Sequence, residues 1–226
     1  MVVLLVLMTF SVFLLIDHFS KRNVTAPAAE AATVPAAIPR LTPNVVAGFL
    51  VPDNVSYHPG HTWALNESPN LVRVGVDDFA TKLNGKVDRI AMPKRGTWIR
   101  QGQKILSILR DGASVDMVSP IEGTVTDINE MVAANPELAS KDPYGEGWLL
   151  KVESPDAKMN FRNLLNGSLA RLWMQNAAQK LQKLVVAPTL VPAGALAQDG
   201  GTAVNNIAEE LTGEGWAAIA KEFFLS

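Results

Sequence analysis

The chain has 226 residues, a formal net charge of −2 at pH 7 and no cysteine. This length allows one or two domains, and a charge so close to zero gives no indication of a polyanionic partner such as nucleic acid. The absence of cysteine excludes disulfides, thiolate catalysis, and zinc or iron–sulfur sites with cysteine ligands.

Residues 1–20 are predicted to form a transmembrane anchor. Met1–Phe19 is almost wholly apolar as far as Ile16, and as a helix it would span about 28 Å, close to one hydrocarbon core. Lys21-Arg22 follows this run and no basic residue precedes it, which places the N-terminus outside and the rest of the chain in the cytoplasm. Cleavage as a signal peptide is the alternative, because the alanine-rich stretch after Val24 contains small residues suited to a cleavage site.

Residues 21–47 are rich in alanine and proline and lack an apolar period, which predicts a partly extended linker. Residues 48–156 are assigned to a β domain, and from Leu71 the pattern changes to short β-type runs separated by turn residues, as in an all-β sandwich or barrel. Asp111-Gly112, between two such runs, predicts a type I′ hairpin turn. The predicted strands are Leu71–Val76, Ile105–Leu109, Gly123–Ile128 and Trp148–Val152, and short helical turns are predicted at Asp77–Leu83 and Pro136–Ala139.

Residues 157–226 are predicted to be a helical C-terminal extension. A first helix should begin near Ser154-Pro155 and end before Pro188, and a final pair is predicted at Val204–Leu211 and Gly213–Phe224. The apolar positions predicted to share one face of the first helix are Phe161, Leu164, Leu165, Leu169, Leu172, Trp173, Leu181, Leu184 and Val185. Those of the last helix are Trp216, Ile219, Ala220 and Phe223.

The aromatic side chains of this extension allow two interpretations. If Trp173, Trp216 and Phe223 are exposed, they form an apolar surface on which a partner subunit docks. If they pack on the extension's own helices or on the β domain, they are part of a core.

Residues Tyr57–Pro155 carry an ordered set of motifs that resembles the H protein of the glycine cleavage system, a small lipoate-carrying β domain. The motifs in chain order are His61-Thr62-Trp63, Val74–Ala80, Leu83–Val87, Met92–Gly102, Ser119–Val125, Asn135–Leu138 and Asp142–Leu149. Each motif alone is weak, but the complete ordered set is specific. The resemblance implies a mainly β, barrel-sandwich hybrid fold, as in lipoyl and biotinyl domains. Fold alone does not establish function.

The resemblance also identifies a missing residue. In the family the lipoyl lysine lies at a hairpin tip, in a stretch of the form Glu-Ser-x-Lys-x-x-x-Asp shortly before a Ser-Pro pair. Here that stretch is Leu109–Asp116, followed by Ser119-Pro120, so Gly112 takes the place of the lysine and Leu109 that of the glutamate. Because lipoate is attached through a lysine amine, the resemblance implies a degenerate lipoyl site at Gly112, next to the hairpin residue Asp111, and no lipoate cofactor.

Other candidate sites are weaker. Lys104 and Lys141 are nearby lysines, but neither lies at a tip between paired strands, so both are interpreted as surface residues. His58 and His61, with Asp53 nearby, have the residue types of a metal site. Pro59-Gly60 breaks the helix that would place both imidazoles on one face, and His61 belongs to a family motif, so a structural histidine is the preferred interpretation. We therefore predict no catalytic residue and no metal ligand.

Together these observations predict a non-catalytic, non-lipoylated, H-protein-like binding or scaffold subunit tethered to the membrane. Its partners would be the lipid bilayer and an unidentified protein or membrane complex, and not nucleic acid or metal. Two alternatives stay open. One is a lipoate-dependent carrier role in glycine cleavage, with aminomethyl transfer, inherited from the family. The other is an extracytoplasmic adaptor, because adaptors of the membrane-fusion type resemble this arrangement of anchor and lipoyl-like hairpin.

Overall fold

The structure is a computed structural model that describes residues 44–186, 211 and 213–225. All of these residues belong to one compact unit, Pro39–Ser226. Its strands are β1 (Val45–Val46), β2 (Phe49–Leu50), β3 (Ser56–Tyr57), β4 (Thr62–Ser68), β5 (Leu71–Val76), β6 (Arg89–Ala91), β7 (Trp98–Ile99), β8 (Lys104–Arg110), β9 (Ala113–Val118), β10 (Gly123–Ile128) and β11 (Leu150–Glu153). Its helices are α1 (Asp78–Asn84), α2 (Glu130–Ala134), α3 (Glu137–Lys141), α4 (Ala157–Phe161), α5 (Gly167–Val186) and α6 (Gly213–Phe224).

The larger sheet has six antiparallel strands in the order β3-β4-β5-β11-β10-β7. β11 lies between β5 and β10, with Val152 opposite both Val72 and Val125. These three valines and Val74 are fully buried, because alternate residues of a strand point to the same face of the sheet. The predicted strands at Leu71–Val76 and Gly123–Ile128 are confirmed with the same bounds.

The smaller sheet has three strands in the order β6-β8-β9 and contains the hairpin β8–β9. The hairpin pairs from Lys104↔Val118 to Arg110↔Ala113. Along β8, Leu106, Ile108 and Arg110 are buried and alternate with more exposed residues. Buried apolar residues from both sheets form one hydrophobic core, and the mainly β fold predicted from the sequence is confirmed.

Helix α1 follows β5 and begins at a carboxylate. Asp77 is its N-cap and accepts a hydrogen bond from the backbone N–H of Ala80 (2.8 Å). This bond satisfies one of the donors that a helix N-terminus leaves without an intrahelical partner. The other carboxylate oxygen of Asp77 contacts His61, so α1 is joined to the start of β4.

The C-terminal region is helical, as predicted, but it is divided differently. Instead of one helix starting near Ser154-Pro155, the chain forms α4 and then α5, separated by five residues. In the gap, Tyr57 and Leu165 exchange two backbone hydrogen bonds of 2.8 Å each, which ties the extension to β3. Gly167, with φ of 50°, then starts α5.

This break explains why the predicted face of the first helix is partly wrong. Leu169 and Leu172 are 62% and 56% exposed, whereas Ala170, Met174 and Ala177 are buried. The helical phase restarts at Gly167, so positions counted from Phe161 through α4 do not stay on the same face. Leu164, Leu181 and Val185 are buried as expected.

Helix α6 has the predicted bounds, and its predicted face of Trp216, Ile219, Ala220 and Phe223 is buried. Within residues 44–186 and 213–225, no helix is long and apolar enough to cross a bilayer. The predicted anchor 1–20 and most of the linker 21–47 lie outside the described residues, as does the predicted helix Val204–Leu211 apart from Leu211.

Candidate functional site

The hairpin turn between β8 and β9 is the candidate site, and it has the predicted conformation. Its two central residues have positive φ, 48° at Asp111 and 78° at Gly112, between the paired residues Arg110 and Ala113. Positive φ at both positions is the requirement of a type I′ turn. The backbone N–H of Asp111 donates to the carboxylate of Asp88 (2.8 Å), which braces the turn from the loop before β6.

The residues of this turn do not fit a lipoyl group. Gly112 carries no side chain, and a Cβ placed there would meet nothing within 4 Å, so the position is open but without an amine. Lys104 lies at the opposite end of the hairpin, opposite Val118, six residues and so about 20 Å from the turn. Lys141 ends α3 and pairs with Glu137 at 3.3 Å. Neither lysine is placed where an arm attached to the turn would begin.

Arg110, directly before the turn, is buried and was not predicted as a site residue. One guanidinium nitrogen donates to the backbone carbonyl of Asn84 (2.9 Å) and another to that of Leu211 (3.1 Å). Its Nε lies 3.3 Å from the carboxylate of Asp111, and the guanidinium carbon lies 5.8 Å from the ring centroid of Trp216. Arg110 therefore joins the hairpin, the end of α1 and the C-terminal region. Its alternation with Leu106 and Ile108 along β8 was the signal that it points inward.

Helix α6 covers the hairpin. A Cβ added at Gly213, its first residue, would lie 2.8 Å from the carbonyl oxygen and 3.0 Å from the Cβ of Asp111. From there α6 packs along β9, and Trp216 and Phe224 are fully buried. The interpretation of these aromatic residues as an exposed docking surface is therefore wrong for Trp216 and Phe223, because the β domain covers them.

His61 lies where the β domain meets both long helices of the extension. Its Nδ1 is 2.8 Å from the carboxylate of Asp77, and its ring stacks on Phe79 at 4.2 Å between centroids. The rings of Trp173 from α5 and Phe223 from α6 lie 4.5 and 6.0 Å away. With an exposure of 1%, His61 is a structural residue, as the family resemblance implied.

The three residues considered for metal binding each have a different partner. His58 accepts a hydrogen bond at Nδ1 from the backbone N–H of Gly60 (3.0 Å), and Asp53 forms an ion pair with Arg171. His61 faces Asp77 as described. Burial lowers the pKa of His58, which favours its neutral form. The three side chains therefore stabilise separate loops and packing contacts, and they do not point to a common centre.

A small cavity lies beside the hairpin, between α1, β6 and α3. It is lined mainly by apolar residues, among them Ile90 and Ile108, with Asn84 at one wall. Its volume of about 10 Å³ is roughly the room that one water needs. This cavity does not accommodate a small-molecule substrate.

Comparisons with known proteins give the family of the chain. The sequence model of the family described as "Glycine cleavage H-protein" matches residues 55–177. A probable glycine cleavage system H protein 2 from Sulfurisphaera tokodaii is 32% identical over 130 residues, which cover 55% of this chain and 86% of that protein. The glycine cleavage system H protein of Mycobacterium avium is 34% identical over 107 residues, covering 47% and 81%.

Among solved structures, the crystal structure of a glycine cleavage system H protein from Mycobacterium marinum is similar, with a TM-score of 0.49 and 24% identity. The match covers 56% of this chain and 99% of that one. Since the family's sequence model spans more than half of the residues, from β3 through the first half of α5, this chain belongs to the glycine cleavage H-protein family.

Proposed function

We propose that this chain is a non-lipoylated H-protein-like subunit that acts by binding, not by catalysis, and that is tethered to a membrane. The H-protein family is one of lipoyl carriers and not of enzymes, which agrees with the expectation that the chain is not an enzyme. The single observation that carries the proposal is the hairpin turn, where Gly112 stands at the position that the family motif gives to the acceptor lysine.

The neighbouring residues support the same proposal. Arg110, at the motif's serine position, is buried among backbone carbonyls, and Leu109, at the glutamate position, is half-buried. Arg110 stabilises the fold here, and neither side chain supplies the hydroxyl or the carboxylate of the family motif. The β domain remains, and it offers a surface on which a protein partner docks.

The membrane tether is supported by the sequence of Met1–Phe19 and by Lys21-Arg22 after it. The linker 21–47 would then allow the β domain to stand away from the bilayer. We propose a cytoplasmic position for the domain on the charge asymmetry around the apolar run. An unidentified protein or membrane complex is the proposed partner.

The intact mass of the purified chain tests the proposal. The full chain is produced together with a lipoate–protein ligase and lipoate, beside a lysine-bearing family member treated in the same way. We expect the unmodified mass for this chain and a lipoyl adduct on the control. A lipoyl adduct on any lysine of this chain would contradict the proposal and favour the carrier role in glycine cleavage.

A further inference from the structure

We propose that Leu211 and α6, together called the C-terminal cover, close the hairpin turn to enzymes that modify a lysine there, and that Arg110 holds the cover in place. This inference rests on the proposed function and deepens it. The attachment site would be lost twice, once by the absence of the lysine and once by the cover.

The contact between the cover and the turn is close. Gly213 approaches the Asp111 carbonyl so nearly that any side chain at position 213 would collide with the turn backbone. A Cβ there would also lie 3.2 Å from the carbonyl oxygen of Arg110. Glycine is thus required at position 213 for steric reasons, and the start of α6 lies directly against one flank of the turn.

Arg110 holds the cover by charge-assisted hydrogen bonds. The guanidinium bridges the carbonyls of Asn84, at the C-terminus of α1, and Leu211, and it faces the ring of Trp216. Hydrogen bonds with a charged donor are stronger than neutral ones, and more so in a buried setting. Since the carbonyl of Asn84 belongs to the last turn of α1, the positive charge also interacts favourably with that helix terminus.

The far end of α6 is held by separate contacts. A Cβ added at Gly60 would lie 3.0 Å from the carbonyl oxygen of Phe224, so the loop before β4 lies against the end of the helix. The ammonium of Lys180 on α5 lies 3.1 Å from the carboxylate of Glu222 and 5.1 Å from the ring centroid of Phe223. The cover is therefore anchored at both ends.

Two of the buried polar atoms that have no hydrogen-bond partner in the described part of the chain lie beside Arg110. They are the indole Nε1 of Trp216 and the side-chain oxygen of Asn84, and both residues contact Arg110. A buried donor or acceptor that has lost its water opposes burial. The hydrogen bonds of Arg110 must offset this cost, so removing them should favour release of the cover at its start.

The proposed obstacle to modification is the access of an enzyme to the turn, because there is room for a lysine side chain at position 112. Position 112 faces open space, so a lysine side chain fits there. A lipoate–protein ligase first joins a carboxylic acid to ATP, giving an acyl-adenylate and pyrophosphate. The lysine amine then attacks the acyl carbon, the bond to AMP breaks and the amine loses a proton. For the amine to reach the acyl carbon, the turn must enter the active site of the ligase. The cover lies against one flank of the turn, and we infer that it restricts this approach.

The test uses the full chain with Gly112→Lys, which supplies the amine, together with a ligase, ATP and octanoate, an acid without a disulfide. Three proteins are compared by intact mass over time: Gly112→Lys alone, the same with Arg110→Met, and the same with Arg95→Met. Arg95 is a matched control, since its ion pairs with Asp127 and Glu130 lie on the surface. We expect Arg110→Met to raise the acylation rate about tenfold or more, because it shifts the docking equilibrium, and Arg95→Met to leave it unchanged.

A second comparison displaces the start of the cover. A Cβ at position 213 would lie 2.8 Å from the carbonyl oxygen of Asp111 and 3.2 Å from that of Arg110, so Gly213→Ala should push α6 away from the turn. In the Gly112→Lys background, Gly213→Ala should therefore raise the acylation rate, as Arg110→Met does.

The outcomes separate the two proposals. Lipoylation of the unaltered chain would overturn the proposed function whatever the cover does. Equal acylation of Gly112→Lys with and without Gly213→Ala would overturn the cover as the obstacle. A gain with Gly213→Ala but none with Arg110→Met would show that Arg110 does not hold the cover.

Discussion

A guanidinium nitrogen of Arg110 lies 3.1 Å from the carbonyl oxygen of Leu211, a residue 101 positions later in the chain. This hydrogen bond joins the hairpin turn of the β domain to the segment that begins α6. Both groups are shielded from solvent. The turn and the C-terminal region therefore form one structural unit. A substitution in either segment should alter the stability of the other.

Arg110→Ala should destabilise the fold by about 2–4 kcal/mol, because it leaves the carbonyls of Asn84 and Leu211 buried without a donor. Chemical denaturation of the soluble domain, followed by tryptophan fluorescence, measures the change. Arg95→Ala is the control, and its exposed ion pairs should contribute at most about 1 kcal/mol. Equal effects of the two substitutions would mean that the buried hydrogen bonds of Arg110 add nothing.

Gly112→Lys should cost about 1 kcal/mol of stability, because a residue with a Cβ is strained at a φ of 78°. Gly112→Asn should cost less, since asparagine tolerates the left-handed region better than other non-glycine residues. Thermal unfolding of the three proteins gives the order. If Gly112→Lys were as stable as the parent chain, the turn would not depend on glycine.

Phe224→Ala should destabilise by about 3–5 kcal/mol, the usual cost of truncating a fully buried aromatic ring. Leu225→Ala, at the next position but 55% exposed, should change stability by at most about 0.5 kcal/mol.

Deletion of residues 158–226 should abolish cooperative unfolding, because it exposes His61 and the aromatic residues around it. A deletion variant that still melts cooperatively would show that the β domain has a sufficient core of its own.

Acidification should weaken the fold through His58. Burial lowers its folded-state pKa, so the unfolded chain binds more protons as the pH falls below about 6.5. The contribution of His58 is thus fully present above about pH 6.5 and is lost as the pH falls through the folded-state pKa. His58→Asn, which keeps an acceptor for the N–H of Gly60, should flatten the decline in the free energy of unfolding below about pH 6.5. Parallel pH profiles for the two proteins would exclude this contribution.

The full-length chain should remain with membranes after carbonate extraction, and deletion of residues 1–20 should release it. In sealed spheroplasts, external protease should leave the β domain intact, as expected from Lys21-Arg22 after the apolar run. The control is a sample with disrupted membranes, in which the same protease should digest the β domain. Digestion from outside in intact spheroplasts would favour the extracytoplasmic adaptor instead.

The features that depend on neighbouring residues could be predicted from the sequence. The turn Asp111-Gly112, the strands β5 and β10 and the helix α6 have the expected conformation and bounds, because φ preference and apolar period are local properties. The phase of α5 could not be extrapolated, since it depends on the break before Gly167. The packing of the cover on the turn could not be predicted, because hydrogen bonds between segments far apart in the sequence produce no periodic pattern of residues. The one local feature that points to this contact is the alternation of Arg110 with Leu106 and Ile108 along β8, which places its charge on the buried face, where it needs a partner.

The contact between Gly213 and Asp111 has a consequence for how the chain can change over generations. As long as α6 starts against the turn, position 213 is limited to glycine by a residue more than a hundred positions away. A relative that has a lysine at the turn and no helix over it is free of this limit. If the cover closes the turn as proposed, a carrier would require both a lysine at position 112 and the retreat of the helix.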